Sequence, residues 1–525
     1  QQRRLSFRNE RNLYNHKCNL CQKTIITIYS PDKNHTIYCR DCWWSDKWPA
    51  RSDHSGGDTI NYGRDFDFNR LFFEQYKDLL QSTPKAAIIG YNCENCDYTN
   101  YQNDSRNCYL TFGSGKMEDC SYCNWCYEAK NIMDCSHCVK GQLDYMNTEC
   151  FETYNTRYCY DSKQITDCSF CIDCRGCQNC FGCVGLRKKE YHIFNKPYPK
   201  EQYEEMIKDL NRLENIQKVQ QELNKLKIQR SHLSSRITKS EACSGDDIEN
   251  SKNSLMCFGI KNCFDCKYCN EAIIAKDVYD ANRSGNNELT YEICSGGYYS
   301  YSAFIYASSH INFSHYVTEC HSNNNLFGCA GLRNKQYCIL NKQYTKEEYE
   351  KLVPKIIEHM MKTGEWGEFF PSSISPFGYN ETVAQEYFPL TKSAVGNADL
   401  HSLQRFNWSD FEQEFPKVEK IIPGSLLPTI IKEIPDDVLN WAIECEVTKK
   451  PFKIIKPELE FYRKMNLPIP RRHPDQRHKD RMALRNPRKL WKRNCMKCNA
   501  EIQTTYSPDR SEIVYCEKCY LGSIY

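Results

Sequence analysis

The sequence predicts a mixed, mainly β fold: two short β-solenoid blocks with inward-facing cysteines, a helical insert between them, and a compact four-cysteine module at each end. Three observations predict it. The same cysteine spacing stands at both termini, most of the remaining cysteines keep a period of three, and the two period-three stretches close on the same motif. At 525 residues the chain exceeds one ordinary domain. No apolar run approaches the roughly 20 residues that cross a bilayer.

Cys18, Cys21, Cys39 and Cys42 read C-x2-C-x17-C-x2-C, and Cys495, Cys498, Cys516 and Cys519 repeat that spacing residue for residue. A C-x2-C pair on a tight turn presents two thiolates with the bite of a tetrahedral zinc site, and two such turns close it, so the pattern is that of a zinc ribbon. With cysteine at all four positions each ion is expected to be structural, which makes two Zn2+ sites in the chain. The likeness runs past the ligands: TIYSPDKNHTIYC from Thr27 aligns with TTYSPDRSEIVYC from Thr504 without a gap. Upstream, Arg8, Asn9, Arg11, Leu13 and Tyr14 match Arg485, Asn486, Arg488, Leu490 and Trp491 at the same distance from the first cysteine. A basic, aromatic lead-in therefore belongs to the module.

Between Cys93 and Cys183 lie sixteen cysteines, every one at a residue number divisible by three. Other positions in that phase are mostly small or apolar, such as Thr99, Ser105, Thr111, Ala129, Ile132 and Gly141, with Gln102, Asp144 and Asn147 as polar exceptions. A second stretch keeps the period in a new phase, from Cys257, Ile260, Cys263 and Cys266 through Ala272, Ser284 and Gly296 to Cys329 and Leu332. Neither a helix, at about 3.6 residues per turn, nor a strand, at about two, gives this period. A narrow solenoid does: straight pieces with one inward residue each, joined by sharp corners, leave a lumen that admits only small side chains. Cysteine pairs twelve apart, among them Cys96 and Cys108, Cys108 and Cys120, Cys126 and Cys138, and Cys159 and Cys171, favour coils of about twelve residues. The inward row resembles that of the tight solenoids of beetle antifreeze proteins; their outward T-x-T ladder is missing, so the resemblance does not imply ice binding. The inward cysteines read first as buried thiols acting as compact hydrophobes. Disulfides, or a thiolate metal cluster at CSFCIDCRGCQNCFGC from Cys168 to Cys183, are the alternatives.

Both blocks stop alike, on FGCVGLRKKEYHIFNKPYPKEQYEE from Phe181 and FGCAGLRNKQYCILNKQYTKEEYEK from Phe327. An open edge on the last coil invites pairing, so this segment, leading into a helix, reads as a cap. Arg187, Tyr191, Asn195 and Lys196 share positions with Arg333, Tyr337, Asn341 and Lys342. From Pro199 to about Ile237, the residues Ile216, Val219, Leu223, Leu226, Leu233 and Ile237 keep mostly three-four spacing, a helix with a coiled-coil seam that packs on the rods or pairs two chains. After a further helix near Lys346 to Lys362, GEWGEFFPSSISPFGYNETV reads as a long ordered excursion. The division is then ribbon 1–48, helical connector 49–90, first solenoid and cap 91–198, helical insert 199–240, second solenoid and cap 241–345, α-rich connection 346–460, and basic segment with second ribbon 461–525.

Net charge is +3, but Phe461 to Arg493 carries twelve Lys or Arg against Asp475 and Asp480, which places +10 in this segment and −7 in the rest. Arginine forks suit phosphates and planar rings suit bases. RNA or DNA is thus the expected partner of Arg8, Arg11, Tyr14, Arg471, Arg472, Arg477, Arg481, Arg485, Arg488 and Trp491; the alternative is a solvated connector whose arginines pair with the acidic remainder. The SPDR…VYC ribbons, the GLR…NK caps and the PFGYNETVAQEYFPL segment resemble, over nearly the whole chain, a family of uncharacterised cysteine-rich proteins of small-genome bacteria. That resemblance implies no activity. G-x-S-x-G, P-loop and H-E-x-x-H patterns are missing, and His473 and His478 do not make a catalytic set. The expected function is a non-enzymatic, zinc-stabilised scaffold that binds nucleic acid, with a protein-assembly scaffold and metal storage in the cysteine rods as alternatives. The start, QQRRLSFRNERNLYNHK, lacks the apolar core of a secretion signal, so a cytoplasmic setting is expected.

Overall fold

The structure, a computed structural model, describes residues 1–46, 48, 59–126, 132–136, 141–210, 213–270, 273–279, 281, 282, 285, 287–294, 297–395, 405–412, 415 and 418–524. Two blocks of stacked coils form its frame. In the first, parallel ladder partners stand twelve residues apart, from Gly90 with Gln102 through Asp97 with Tyr109 to Gln178 with Glu190. In the second the same step runs from Gly245 with Cys257 to Asn324 with Gln336, after an opening coil one residue shorter that pairs Ile237 with Ile248. That shorter coil is what changes the phase of the period between its first cysteine, Cys243, and the rest.

The period of three has a simple local cause. One residue points inward, the next joins the ladder, and the third turns the corner with left-handed backbone: Cys168 is buried, Ser169 pairs with Phe181, and Phe170 has φ 55°. That conformation costs a residue with a side chain roughly 1–2 kcal/mol, and Asn and Asp adopt it most readily. They hold many corners and stack from coil to coil: Asn95 donates to Asn107 at 3.2 Å, Asn107 to Asp119 at 2.9 Å, and Asn253 to Asp265 at 2.9 Å. Other corner columns stack rings, with Tyr158 and Phe170 at 4.7 Å and Phe304 and Tyr316 at 4.4 Å. A column of like side chains thus offsets part of the backbone strain of each corner.

Cysteine sulfurs line the lumen. The six sulfurs from Cys168 to Cys183 are buried and donate to carbonyls two residues back, as from Cys168 to Thr166 at 3.2 Å and from Cys183 to Phe181 at 3.3 Å. The polar exceptions bond within the lumen: Asp144 accepts the hydroxyls of Thr153 (2.6 Å) and Thr156 (2.7 Å) and the Thr156 N–H (3.0 Å). Asn147 donates to the Thr156 hydroxyl at 2.6 Å and accepts the Cys159 N–H at 3.0 Å. Ala129, Cys138, Ala272, Ser284 and Gly296, expected inward, lie outside the described residues.

Each rod closes on an asparagine. Asn341, fully buried, accepts the Ala330 N–H at 2.8 Å and donates to the Ala330 carbonyl at 2.7 Å and the Thr59 carbonyl at 3.1 Å. Asn195 does the same for Val184, with both bonds at 2.9 Å. A side-chain amide thereby stands in for the strand that would have come next. A short hairpin and a helix, Lys200–Leu210 or Lys346–Thr363, complete each cover.

The insert continues as the helix Leu213–Gln229, whose Val219 and Leu223 bury against Phe170 and Phe181, so its seam packs on the first rod. That helix does not extend to Leu233 and Ile237, as their spacing suggested. Ser231–Leu233 is a strand paired with Ile513–Tyr515, and Ile237–Thr238 opens the second rod. Spacing alone does not separate helix from strand when the partner strand is remote in sequence.

The rods lie side by side and run in opposite directions. Tyr101, early in the first, meets Tyr306, late in the second, with hydroxyls 3.0 Å apart. Asp161, late in the first, shares Arg236 with Asp246 at the start of the second. The excursion after the second cap returns to the N-terminal module, where buried Glu381 accepts the Tyr14 hydroxyl at 2.5 Å and Lys33 at 2.9 Å. No described helix is long and apolar enough to cross a membrane.

Candidate metal centres and the seam between the rods

In the N-terminal module a hairpin, Tyr14–Lys17 with Thr24–Thr27, carries Cys18 and Cys21 on its turn, where Gln22 takes φ 62°. Cys39 then caps the helix Arg40–Trp43, which holds Cys42. The C-terminal module repeats this with Trp491–Asn494, Glu501–Thr504 and the helix Glu517–Ile524. In each, the four sulfurs gather within 4.8 Å of one another. The Cys21 and Cys39 sulfurs are 3.8 Å apart and those of Cys498 and Cys516 3.7 Å. A tetrahedron of bonds near 2.3 Å has edges of about 3.8 Å, so both quartets fit a four-coordinate thiophilic cation. Backbone donors face the sulfurs as well, from Cys39 N to Cys18 at 3.2 Å and from Cys516 N to Cys495 at 3.3 Å. Burial raises the Cys18 and Cys495 thiols, but the surrounding N–H groups outweigh it and bring each down to about 6.

Each module touches both rods. Ile37–Tyr38 pairs with Lys85–Ala86, the strand that leads into the first rod, while Arg333 at the end of the second rod lies 5.6 Å from the rings of Trp44 and Trp48. Ile513–Tyr515 pairs with the strand that leads into the second rod, while the Tyr520 hydroxyl bonds Asp173 at 2.5 Å and Arg187 at 3.0 Å at the end of the first. Cap arginines and module aromatics therefore meet at both ends of the pair.

The lead-in residues expected at nucleic acid mostly face inward. Arg8 is buried between Glu10 (2.5 Å) and the ring of Tyr101 (3.8 Å). Arg11 bonds Asp475 at 3.1 Å and lies over Phe112 at 4.8 Å, and buried Tyr14 bonds Glu381. Arg477 and Arg481 are buried against Asp134 inside the first rod's wall. Arg485 pairs with Glu149 at 2.5 Å and Arg488 lies 3.8 Å over Tyr387. Arg471 donates to the Leu427 carbonyl at 2.9 Å; Arg472 is exposed and paired to Glu446 and Asp480, both at 2.8 Å. Trp491 remains partly open, with Lys489 5.2 Å above its ring.

Between these groups lies a cleft of about 990 Å³, bordered by Glu149, Arg236, Asp246, Glu386 and His478. Burial holds His478 below the ordinary imidazole range, helped by Arg11, against the opposing pull of Glu386 at 3.3 Å. His473 is a helix cap whose Nδ1 accepts the Asp475 N–H at 3.1 Å. The carboxylates that receive the arginines, Asp134, Glu149 and Glu458, carry no distinguishing pattern in the sequence. One signal was available: the module repeat extends upstream to Arg4 and Arg481, and Arg4 is likewise buried against a rod carboxylate, Glu292. No protein-family model, curated protein or solved structure matches this chain.

Proposed function

We propose that this protein is a non-catalytic scaffold in which two structural zinc ions hold a pair of opposed rods in register. The observation that carries the reading is the crossed placement of the two modules, each bound to the start of one rod and the end of the other. Four thiolates and no vacant position suit zinc in a purely structural role, and a free-thiol lumen suits a reducing cytoplasm.

Nucleic acid is the partner we favour, and the contact surface we assign is on the C-terminal module, which carries Trp491 with Lys489 5.2 Å from its ring and the exposed Lys492 and Lys497. The buried arginines of the lead-in serve the seam instead. Changing Lys492 and Lys497 to Ala should weaken binding of a single-stranded oligonucleotide and flatten its logarithmic salt dependence by about one to two units. An unchanged salt slope would remove that surface from consideration. The assembly reading is favoured by a different feature, the exposed stack of Tyr301 on Phe313 at 5.1 Å and of Tyr298 on His310 at 4.8 Å along the second rod.

A further inference from the structure

The segment between the second cap and the C-terminal module contains the fold of that module a third time. In both terminal modules the residue two before the first cysteine pairs with the residue seven after it, His16 with Ile25 and Arg493 with Ile502. Ile443 pairs with Phe452 in the same relation to Cys445. The first cysteine's N–H reaches the carbonyl five residues on, from Cys18 to Lys23 at 2.9 Å, from Cys495 to Ala500 at 2.8 Å, and from Cys445 to Lys450 at 3.0 Å. The residue before that carbonyl is left-handed in all three: Gln22 (φ 62°), Asn499 (φ 60°) and Lys449 (φ 60°).

The second half corresponds as well. The residue after the first cysteine donates across the module, Asn19 to Ile37 at 2.9 Å, Met496 to Val514 at 3.0 Å, and Glu446 to Arg471 at 3.0 Å. Two residues beyond each acceptor comes the third ligand position: Cys39, Cys516 and His473. Each stands immediately before a helix, and its carbonyl accepts the N–H four residues on, from Trp43 (2.8 Å), Tyr520 (2.9 Å) and Arg477 (3.0 Å). Those three side chains are all buried and all face a rod: Trp43 packs under Gly331, Tyr520 bonds Asp173, and Arg477 pairs with Asp134.

We infer that residues 421–484 are a third ribbon whose metal corner has been replaced by hydrogen bonds. Its four ligand positions are Cys445, Thr448, His473 and Gln476. The spacing C-x2-T-x24-H-x2-Q is longer by seven residues than C-x2-C-x17-C-x2-C, room that the helix Lys456–Lys464 occupies. Each position has protein partners in place of an ion. The Cys445 sulfur accepts the Thr448 N–H at 3.4 Å, His473 Nδ1 accepts the Asp475 N–H at 3.1 Å, and Gln476 donates to Asp480 at 2.8 Å. An apolar core larger than that of either terminal module supplies the stability, since Ile443, Phe452, Ile454 and Leu459 are all buried in one cluster.

Elemental analysis of the full-length protein tests this. The chain should bind two equivalents of zinc, and Cys445→Ser should leave that number at two. Thr448→Cys with Gln476→Cys restores a Cys3His set and should raise it to three, with cobalt-loaded protein gaining thiolate-to-cobalt absorption by about three-eighths, three new thiolates on eight. Three equivalents in the natural chain, one of them lost in Cys445→Ser, would overturn the inference. So would a double variant that folds and melts like the parent yet stays at two. If that variant does not fold, the Cys445→Ser comparison still decides. A natural chain without metal would sink the reading of the terminal quartets and leave this one predicting a gain of one in the double variant.

Discussion

The caps make a sharp prediction, because one isosteric change removes two donated bonds from a fully buried site. In Asn341→Asp the Oδ1 that accepts from Ala330 N–H persists, while an oxygen replaces the Nδ2 that donates to two carbonyls at 2.7 and 3.1 Å. Each lost bond is worth about 1 kcal/mol net, and a buried carbonyl left without a donor adds about 1–3 kcal/mol. The last coil should therefore open more easily by about 4 kcal/mol, which is on the order of a thousandfold. Amide hydrogen exchange over residues 326–340 reads that opening directly. The cap of the first rod is the control: Asn195 is only half-buried, so water replaces what Asn195→Asp loses, and exchange there should change by less than about tenfold. The introduced carboxyl at 341 faces two carbonyl oxygens, which raises its folded pKa above the ordinary value. The destabilisation therefore grows as pH rises through the carboxylate range and shrinks as pH falls towards about 4. Exchange at neutral pH within tenfold of the parent would refute the idea that a side-chain amide closes this rod.

Three further outcomes follow from the same contacts. Burial raises Asp144 to about 6 against the opposing Thr153 and Thr156 donors. Because its folded pKa lies above the unfolded one, its contribution declines between about pH 4 and pH 6, and Asp144→Asn should stabilise the protein at pH 7 by up to about 3 kcal/mol with no gain at pH 4; melting curves at the two pH values check it. Arg477→Met strands the buried carboxylates of Asp134 and Glu458, which should cost about 3–5 kcal/mol and be largely relieved by adding Asp134→Asn; urea titrations of the single and double variants decide. Chelation should release two ions and expose strands 85–86 and 231–233 to exchange while the coils between Cys150 and Cys183 stay protected; loss of protection along the rods at the same chelator concentration would contradict the separate roles of modules and lumen.

Much of the frame was legible because the coil writes its geometry into every third residue. Cys168 to Cys183 line the lumen as their register requires, and in the shared LR…NK motif Asn195 and Asn341 both bond back to the coil before them. The spacing of Leu233 and Ile237 suits the insert helix, but the strand that claims Leu233, Ile513–Tyr515, lies nearly three hundred residues away. Side-chain spacing records local periodicity and carries no mark of such a distant edge. The corner residues were equally silent. Nothing in Tyr158 or Phe304 as residue types signals a left-handed turn, and only the stacked neighbour twelve residues away accounts for its tolerance.

The basic segment shows why charge counted along a sequence says little about where a charge goes. A run at +10 looks like a surface awaiting phosphate, but three of its twelve cations are answered by rod carboxylates that are individually unremarkable in sequence: Asp134 for Arg477 and Arg481, Glu149 for Arg485. Two rods whose outer walls are studded with Asp, Glu and aromatic corners repel or slip when laid side by side, because nothing in a coil repeat specifies a partner rod. Arginine answers both wall chemistries at once, pairing with a carboxylate while its plane lies on a ring, as Arg477 does with Asp134 and Tyr122. At the other arm the two contacts fall on separate arginines: Arg4 pairs with the rod carboxylate Glu292, while Arg8, held by Glu10 of its own arm, lies on the rod ring Tyr101. Lysine at 477 would keep the charge that answers Asp134 and lose the fork and the stacking surface, so Arg477→Lys should cost clearly less than Arg477→Met in the same urea titrations, and a Lys variant as unstable as the Met variant would contradict the charge argument.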